Sequence, residues 1–288
     1  MFRFTEDNSA DIAASAFADT PNTRLREVLQ SLTRHLHAFA KDVELTQSEW
    51  ELGIDFLTAT GQKCDATRQE FILLSDVFGV SMLVDAITHR TPGGATESTV
   101  LGPFHMTESP TRELGDDISG GEPGQPCLVL GTVRTIDGEP IAHALVDVWQ
   151  ADDEGFYDVQ NPETTPAGHL RGLFTTNDEG EFHFRSIVPA PYPIPTDGPV
   201  GRLLERTERH PFRPAHIHFI ADADNYQPVT THIFVEGSPY LESDAVFGVK
   251  DSLITAFRTV DDPDTARQYN MPNPFTLARV DLVLAATS

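Results

Sequence analysis

The sequence predicts a mainly β protein with a helical N-terminal part: an α-helical domain over residues 1–105, then a β-sandwich domain over 106–288. Two observations predict this. The hydrophobic period is helical from Asn22 to Ile87 and becomes two from Cys127 onward. Between the later segments stand Asp137-Gly138-Glu139-Pro140 and Asn177-Asp178-Glu179-Gly180, turn chemistry that separates consecutive short strands.

Residues 1–20 are small and acidic with weak periodicity, which predicts a frayed or loosely docked arm. Leu25, Val28, Leu29, Leu32, Leu36 and Phe39 then recur at helical spacing, one apolar stripe of an amphipathic helix. His35 and His37, two apart, do not share a helical face and read as surface or cap residues. Thr46-Gln47-Ser48-Glu49 is a capping box ahead of Trp50, Ile54 and Leu57, with Gly61 as the stop. Thr67-Arg68-Gln69-Glu70 repeats the device before a third, mostly buried helix that runs to Ile87 and is ended by Thr91-Pro92-Gly93-Gly94. Asp76 interrupts that helix on the face of Leu73, either as part of a solvated stripe or with a polar group to meet.

Residues 95–126 are irregular and rich in Asp, Gly and Pro; a loop of this length is functional or wraps a neighbour. The strand candidates are Cys127–Ile136, Ala144–Gln150, Gly172–Thr176, Glu181–Ile187, Ala215–Ala221, Val229–Val235 and Arg279–Leu284. Seven short strands with such turns imply a sandwich.

The chain has 288 residues, with 44 acidic against 20 basic and a formal charge of -24, a field that repels nucleic acid and anionic lipid headgroups. No apolar run approaches the ~20 residues of a membrane-spanning helix, and Met1 to Asp7 lacks the basic and apolar regions of a signal peptide. A cytoplasmic protein is expected. Cys64 and Cys127 form no framework and read as reduced and structural, so a metal, if held, is held by nitrogen and oxygen.

The chemistry concentrates in Arg213-Pro214-Ala215-His216-Ile217-His218. In a strand, His216 and His218 point to one face and Ile217 and Phe219 to the other, so two imidazoles converge while the strand keeps a packing side. The pattern also occurs on half-buried strands without a metal. Tyr157, after Gly155-Phe156, and Tyr192, held between Pro191 and Pro193, sit where strands give way to loops. Buried, hydrogen-bonded phenols would account for them equally well.

Taken together, Tyr157, Tyr192 in Pro191-Tyr192-Pro193-Ile194-Pro195, and the Arg213-to-His218 run resemble the iron-binding motifs of the intradiol ring-cleavage dioxygenases. Glu97 to Phe104 and Phe234-Val235-Glu236-Gly237 resemble the hydroxyquinol-cleaving branch. The likeness spans roughly residues 22–284. It implies one Fe(III) per subunit, with Tyr157 and His216 equatorial and Tyr192 and His218 axial. Tyr192 would give way to the diol and help take a substrate proton, and Arg213 would counter charge developing on the ring. Two phenolates and two imidazoles are a hard donor set suited to ferric iron. The pocket wall implied is Leu73, Asp76, Val100, Leu101, Gly102, Pro103, Phe104, Ile194, Pro195, Arg213 and Val246. The substrates implied are an aromatic diol or triol and O2, with hydroxyquinol (1,2,4-trihydroxybenzene) opened to maleylacetate and Asp76 meeting its third hydroxyl.

Catechol-type relatives carry Gln where this chain has His232, which is expected to support the site without ligating. His105, His143, His169, His183 and His210 are read as structural or surface. Alternatives within the class are catechol or chlorocatechol 1,2-dioxygenase. Outside it stand a zinc hydrolase using Asp147 or Glu154 with the histidine pair, and a non-catalytic binding module. The resemblance further implies a homodimer joined through the helical segments, with a phospholipid between them and no membrane insertion.

Overall fold

The computed structural model describes residues 3–65, 68–90, 93–105 and 109–287. They form two compact units, Met1–Ala59 and Thr60–Ser288.

In the first unit, α1 (Ser9–Ser15) occupies the segment expected to be a frayed arm, buries Ala14, and is followed by α2 (Thr23–Asp42). The Asn22 side chain caps α2 by accepting from the Leu25 N–H at 2.9 Å. The expected stripe is present but uncovered: α2 buries no residue, and Leu25, Val28, Leu32, Leu36 and Phe39 are all exposed. The capping box at α3 (Gln47–Lys63) is closed in both directions, Thr46 N–H to Glu49 Oε2 at 2.9 Å and Glu49 N–H to Thr46 Oγ1 at 3.3 Å.

The third predicted helix is two, α4 (Glu70–Val77) and α5 (Val80–Thr88), bent by 82° at Gly79. Gly79 has φ +71°, a left-handed conformation only glycine adopts freely, and the Asp76 carbonyl accepts its N–H. Nor is this segment mostly buried, as its composition predicts. Leu73, Asp76, Val77, Met82 and Asp85 are buried, but Phe71, Ile72, Phe78, Val80, Leu83, Val84 and Ile87 are exposed, because a surface helix can sink only one stripe. Thr67, Thr91 and Pro92, the expected cap and stop, lie outside the described residues. Among the described residues no single helix is long and apolar enough to cross a membrane; the bent α4–α5 pair passes on length and composition alone.

The strands are β1 (Pro126–Thr135), β2 (Leu145–Gln150), β3 (Arg171–Thr175), β4 (Glu181–Ile187), β5 (Tyr192–Pro193), β6 (Phe212–Arg213), β7 (His216–Asp222), β8 (Val229–Val235), β9 (Ile254–Thr255), β10 (Arg258–Val260) and β11 (Phe275–Leu284), with α6 (Pro199–Arg206) and α7 (Pro263–Gln268) between them. One sheet runs β10-β11-β1-β4, the other β3-β2-β7-β8-β9, and β5-β6 form a separate ribbon. Both large sheets are mixed, since β1 pairs with β11 and β8 with β9 in parallel. Val129, Phe182, Phe184 and Leu282 of the first meet Val146, Phe174, Ile217 and Phe219 of the second in one buried core. The two predicted turns do not close hairpins within a sheet. They carry the chain from one sheet to the other, β1 to β2 and β3 to β4.

The irregular stretch after residue 95 wraps this sandwich. Its backbone bonds to β11 at Thr96, to β8 at Thr99, to β3 at Arg112 and to β4 at Gly115 and Ile118. A fully buried carboxylate fixes α6: Glu70 Oε1 accepts the Val200 N–H at 3.1 Å, while Oε2 takes Arg68 Nε and Nη2 at 3.0 and 2.7 Å. Glu70→Ala is expected to lower the stability of this unit by about 2 kcal/mol, the scale of hydrogen bonds to a charged group. Calorimetry checks it, and an unchanged melting point would show the contact carries no weight.

Candidate metal centre

The strand alternation places the site. Ile217 and Phe219 enter the sandwich core as expected, so His216 and His218 face the other side of the β3-β2-β7-β8-β9 sheet. There the register sets Trp149 of β2, His218 of β7 and His232 of β8 in one row across three adjacent strands. The Trp149 and His218 rings stack with centroids 4.5 Å apart and planes 13° apart, and the His232 ring lies 4.2 Å from His218 and 4.8 Å from His216. All three histidines are buried.

The two tyrosines arrive from outside the sheet. Tyr157 follows a turn in which Asp152 Oδ1 accepts the N–H groups of Glu154 and Phe156 at 2.9 and 2.8 Å. Gly155, at φ +89°, is needed there, since a Cβ would stand 3.0 Å from the Tyr192 Cβ. Tyr192 sits in the β5-β6 ribbon directly opposite Arg213, three residues before His216. The side chains converge: Tyr157 Oη is 3.0 Å from His218 Nε2, which is 3.1 Å from His216 Nε2, and the Tyr157 and Tyr192 rings meet edge to face at 5.3 Å. His216 Nδ1 donates to the Pro214 carbonyl at 2.7 Å, which fixes the tautomer and leaves Nε2 as a lone pair aimed into the cluster. Tyr192 Oη is buried and has no hydrogen-bond partner among the described residues. Two imidazoles and two phenols thus face one another with the Tyr192 oxygen left orphaned, an arrangement that fits a cation of oxygen and nitrogen preference.

Burial drives the electrostatics. It pushes the Tyr157 phenol well above its ordinary range, with the neighbouring Tyr192 adding to the effect and Arg213 and Arg171 opposing it. It holds His216, His218 and His232 well below the usual imidazole value, reinforced for His216 by Arg213 and for His218 by His232. A phenol so placed loses its proton only to a strong local positive charge.

Arg213 is buried against Asp244, Nε to Oδ1 at 3.1 Å, and its Nη1 lies 3.3 Å from His216 Nε2. Burial opposes its charge, but Asp244 and the two phenols keep its pKa above the ordinary guanidinium value. It is thus both an ion pair and a cation at the site. Asp244 also accepts the N–H groups of Val246 and Gly248, tying the loop 244–248 to Arg213.

Of the expected wall, Leu73, Ile194 and Val246 are buried in one apolar cluster with Val100 packed against it. Gly102 comes so close to His218 that a Cβ would stand 3.0 Å from the ring. Phe104 stacks on Tyr157 at 4.7 Å. Leu101 and Pro103 are exposed and Pro195 half-buried. Asp76 is buried on the inner face of α4, and that burial raises its carboxyl above the usual range, with Ser81 and Arg213 opposing.

Sequence reasoning passed over several neighbours. Thr99 Oγ1 makes a very short contact with His232 Nδ1. His105 pairs with Asp147 at 3.2 Å and sets its ring on Trp149 at 4.7 Å. Asp158 and Arg171 form a second buried ion pair beside Tyr157. Of these neighbours Asp147 and Trp149 carried a signal in the sequence, through alternation on the strand they share. Among the described residues the one group of His, Cys, Asp and Glu with convergent ligand atoms is His216, His218 and His232; neither Asp147 nor Glu154 joins it.

Residues 101–285 match the family model described as Dioxygenase, and residues 22–96 that described as Catechol dioxygenase N terminus. The chain is 52% identical over 254 residues to 6-chlorohydroxyquinol 1,2-dioxygenase of Cupriavidus pinatubonensis, covering 88% of this chain and 92% of that one. It is 48% identical over 283 residues to hydroxyquinol 1,2-dioxygenase of a Rhizobium species, 98% and 96% of the two chains. The solved hydroxyquinol 1,2-dioxygenase of Pseudomonas putida DLL-E4 superposes with a TM-score of 0.92 at 47% identity, covering 98% and 99%. The convergent phenols and imidazoles and these likenesses have one meaning: the chain belongs to the intradiol ring-cleavage dioxygenases, a family whose chemistry depends on non-haem iron.

Proposed function

We propose that this enzyme opens hydroxyquinol between its adjacent hydroxylated carbons with O2 to give maleylacetate, using one ferric ion per subunit held by Tyr157, Tyr192, His216 and His218. The convergence of those four side chains, with the His216 lone pair preset by Pro214, is the observation that carries the reading. Ferric iron held there would supply the charge that keeps both phenols ionised and favours binding of the diol through its oxygens. Tyr192, whose oxygen has no hydrogen-bond partner among the described residues, would be the ligand able to yield its place and accept a proton from one diol hydroxyl. Arg213 counters negative charge growing on the ring, in a site dry enough for that charge to matter. Leu73, Ile194 and Val246, buried in one apolar cluster, and Phe104, stacked on Tyr157, would help keep water from the ring.

Asp76 selects the triol. A buried carboxyl beside Leu73, already hydrogen-bonded by Ser81, would gain a further partner in a third hydroxyl that catechol lacks. Asp76→Ala is therefore expected to lower the hydroxyquinol-to-catechol ratio of kcat/KM by about 10- to 100-fold, measured as initial rates on both diols with 6-chlorohydroxyquinol as a third. An unchanged ratio would favour a catechol or chlorocatechol 1,2-dioxygenase. Metal analysis with a visible spectrum, before and after hydroxyquinol, tests the iron: a coloured iron protein whose band moves is expected, and a colourless zinc protein would replace this reading with a hydrolase.

The division into a helical part over 1–105 and a catalytic part over 106–288 goes with a cytoplasmic homodimer. The uncovered stripe Leu25, Val28, Leu32, Leu36 and Phe39 on α2 supports a partner subunit there, with a phospholipid filling what two such stripes leave open.

A further inference from the structure

The buried pair Arg171–Asp158 closes a circuit that the reading above does not use. Arg171, on β3 and 1% exposed, donates from Nε and Nη2 to Asp158 Oδ1 at 2.8 and 2.7 Å. The same Nη2 donates to the Phe104 carbonyl at 2.7 Å. Asp158 is the residue after Tyr157, and its carboxylate is pinned further by the N–H groups of Val159 and Gly168 at 2.9 and 2.8 Å. Phe104 returns to Tyr157 by stacking on its ring at 4.7 Å and 26°. Tyr157 is therefore gripped twice, by its own backbone through Asp158 and by its ring through Phe104, and one guanidinium holds both grips.

We propose that Arg171 is a positioning residue that sets Tyr157 and the pocket wall at Phe104 in a single frame, so that the metal-binding phenol and the face the substrate slides against cannot move independently. This rests on Tyr157 being an iron ligand. A planar guanidinium fork suits this double hold, because it reaches a carboxylate and a carbonyl in different directions at once, which a lysine ammonium at the same place cannot match. Groups that orient metal ligands from behind carry about 10- to 100-fold in metal affinity or activity.

The test uses purified, iron-loaded Arg171→Met, Arg171→Lys and Asp158→Asn. In all three the tyrosinate absorption band is expected to move from its wild-type position, iron to be lost to a competing chelator about 10- to 100-fold more readily, and KM for hydroxyquinol to rise. Arg171→Lys should be the mildest, since it keeps the charge and one of the two contacts. If Arg171→Met does not fold, Arg171→Lys and Asp158→Asn carry the same readouts. A lowered melting temperature with wild-type band, iron retention and KM would reduce Arg171 to a structural brace and overturn the proposal. A wild-type protein without a tyrosinate band, or a Tyr157→Phe variant that keeps the full band, would instead remove Tyr157 as a ligand and take the proposal with it.

Discussion

His218→Ala is expected to abolish ring cleavage, lowering kcat/KM by about 10³-fold or more, and to leave a protein that binds little iron and has lost its colour. The Nε2 atom of His218 lies between Tyr157 Oη and His216 Nε2, at 3.0 and 3.1 Å, so its removal breaks the donor set at its centre. A metal acting on a charged intermediate contributes several kcal/mol, which sets the scale of the loss. The fold should survive, because Trp149 keeps its place in β2 and the core side of β7 is untouched. His232→Ala is the control: its ring neighbours the same point and its Nε2 is buried without a partner among the described residues, but the proposed set of two phenols and two imidazoles is complete without it, so colour and iron should be largely kept. Atomic spectroscopy and the visible spectrum decide both. Full iron content in His218→Ala would remove that histidine from the site.

The iron-free protein should lose stability steeply as pH falls below about 6.5, the unperturbed imidazole value. Burial holds His216, His218 and His232 neutral in the folded chain, well below that value. In the unfolded chain the same three take up protons as pH falls through it. The unfolded state then binds more protons, so stability is intact above the unfolded pKa and drains as pH drops toward the depressed folded values. Each proton is worth about 1.4 kcal/mol per pH unit, so three together cost about 4 kcal/mol per unit at the steepest. Urea titrations of chelator-treated protein between about pH 7.5 and 5 measure it; bound iron should raise the midpoints without flattening the slope, because it keeps the folded imidazoles unprotonated just as burial does. A midpoint that stays flat across that range would mean that all three imidazoles take up protons in the folded state as readily as in the unfolded one.

Much of this architecture is legible in the sequence because it depends on local rules. Alternation alone puts Ile217 and Phe219 in the core and His216 and His218 opposite them, and the strand boundaries from Glu181 to Ile187 and Val229 to Val235 follow directly from the period of two. Tyr157 and Tyr192 are legible only through resemblance, since nothing in a turn or a proline pair says which point in space a phenol will reach. The partners that matter most are set by pairing between distant segments. His232 meets His218 because β8 runs antiparallel to β7 in one particular register, and Arg171 meets Asp158 and Phe104 across 13 and 67 residues. The bend at Gly79 escapes a periodicity reading because a run of apolar residues on both sides imitates one helix; the left-handed glycine is the available signal.

The row Trp149–His218–His232 also has a consequence for directed evolution toward other rings. Three strands laced into one sheet hold these aromatic side chains, while Leu73 and Asp76 come from α4 and Ile194 and Val246 from two loops. A library randomised at those four positions should return many coloured clones with altered diol preference. One randomised at Gly102 or Phe104 should return mostly bleached ones, because there the mould for the substrate is cast in the same piece as the clamp on the iron.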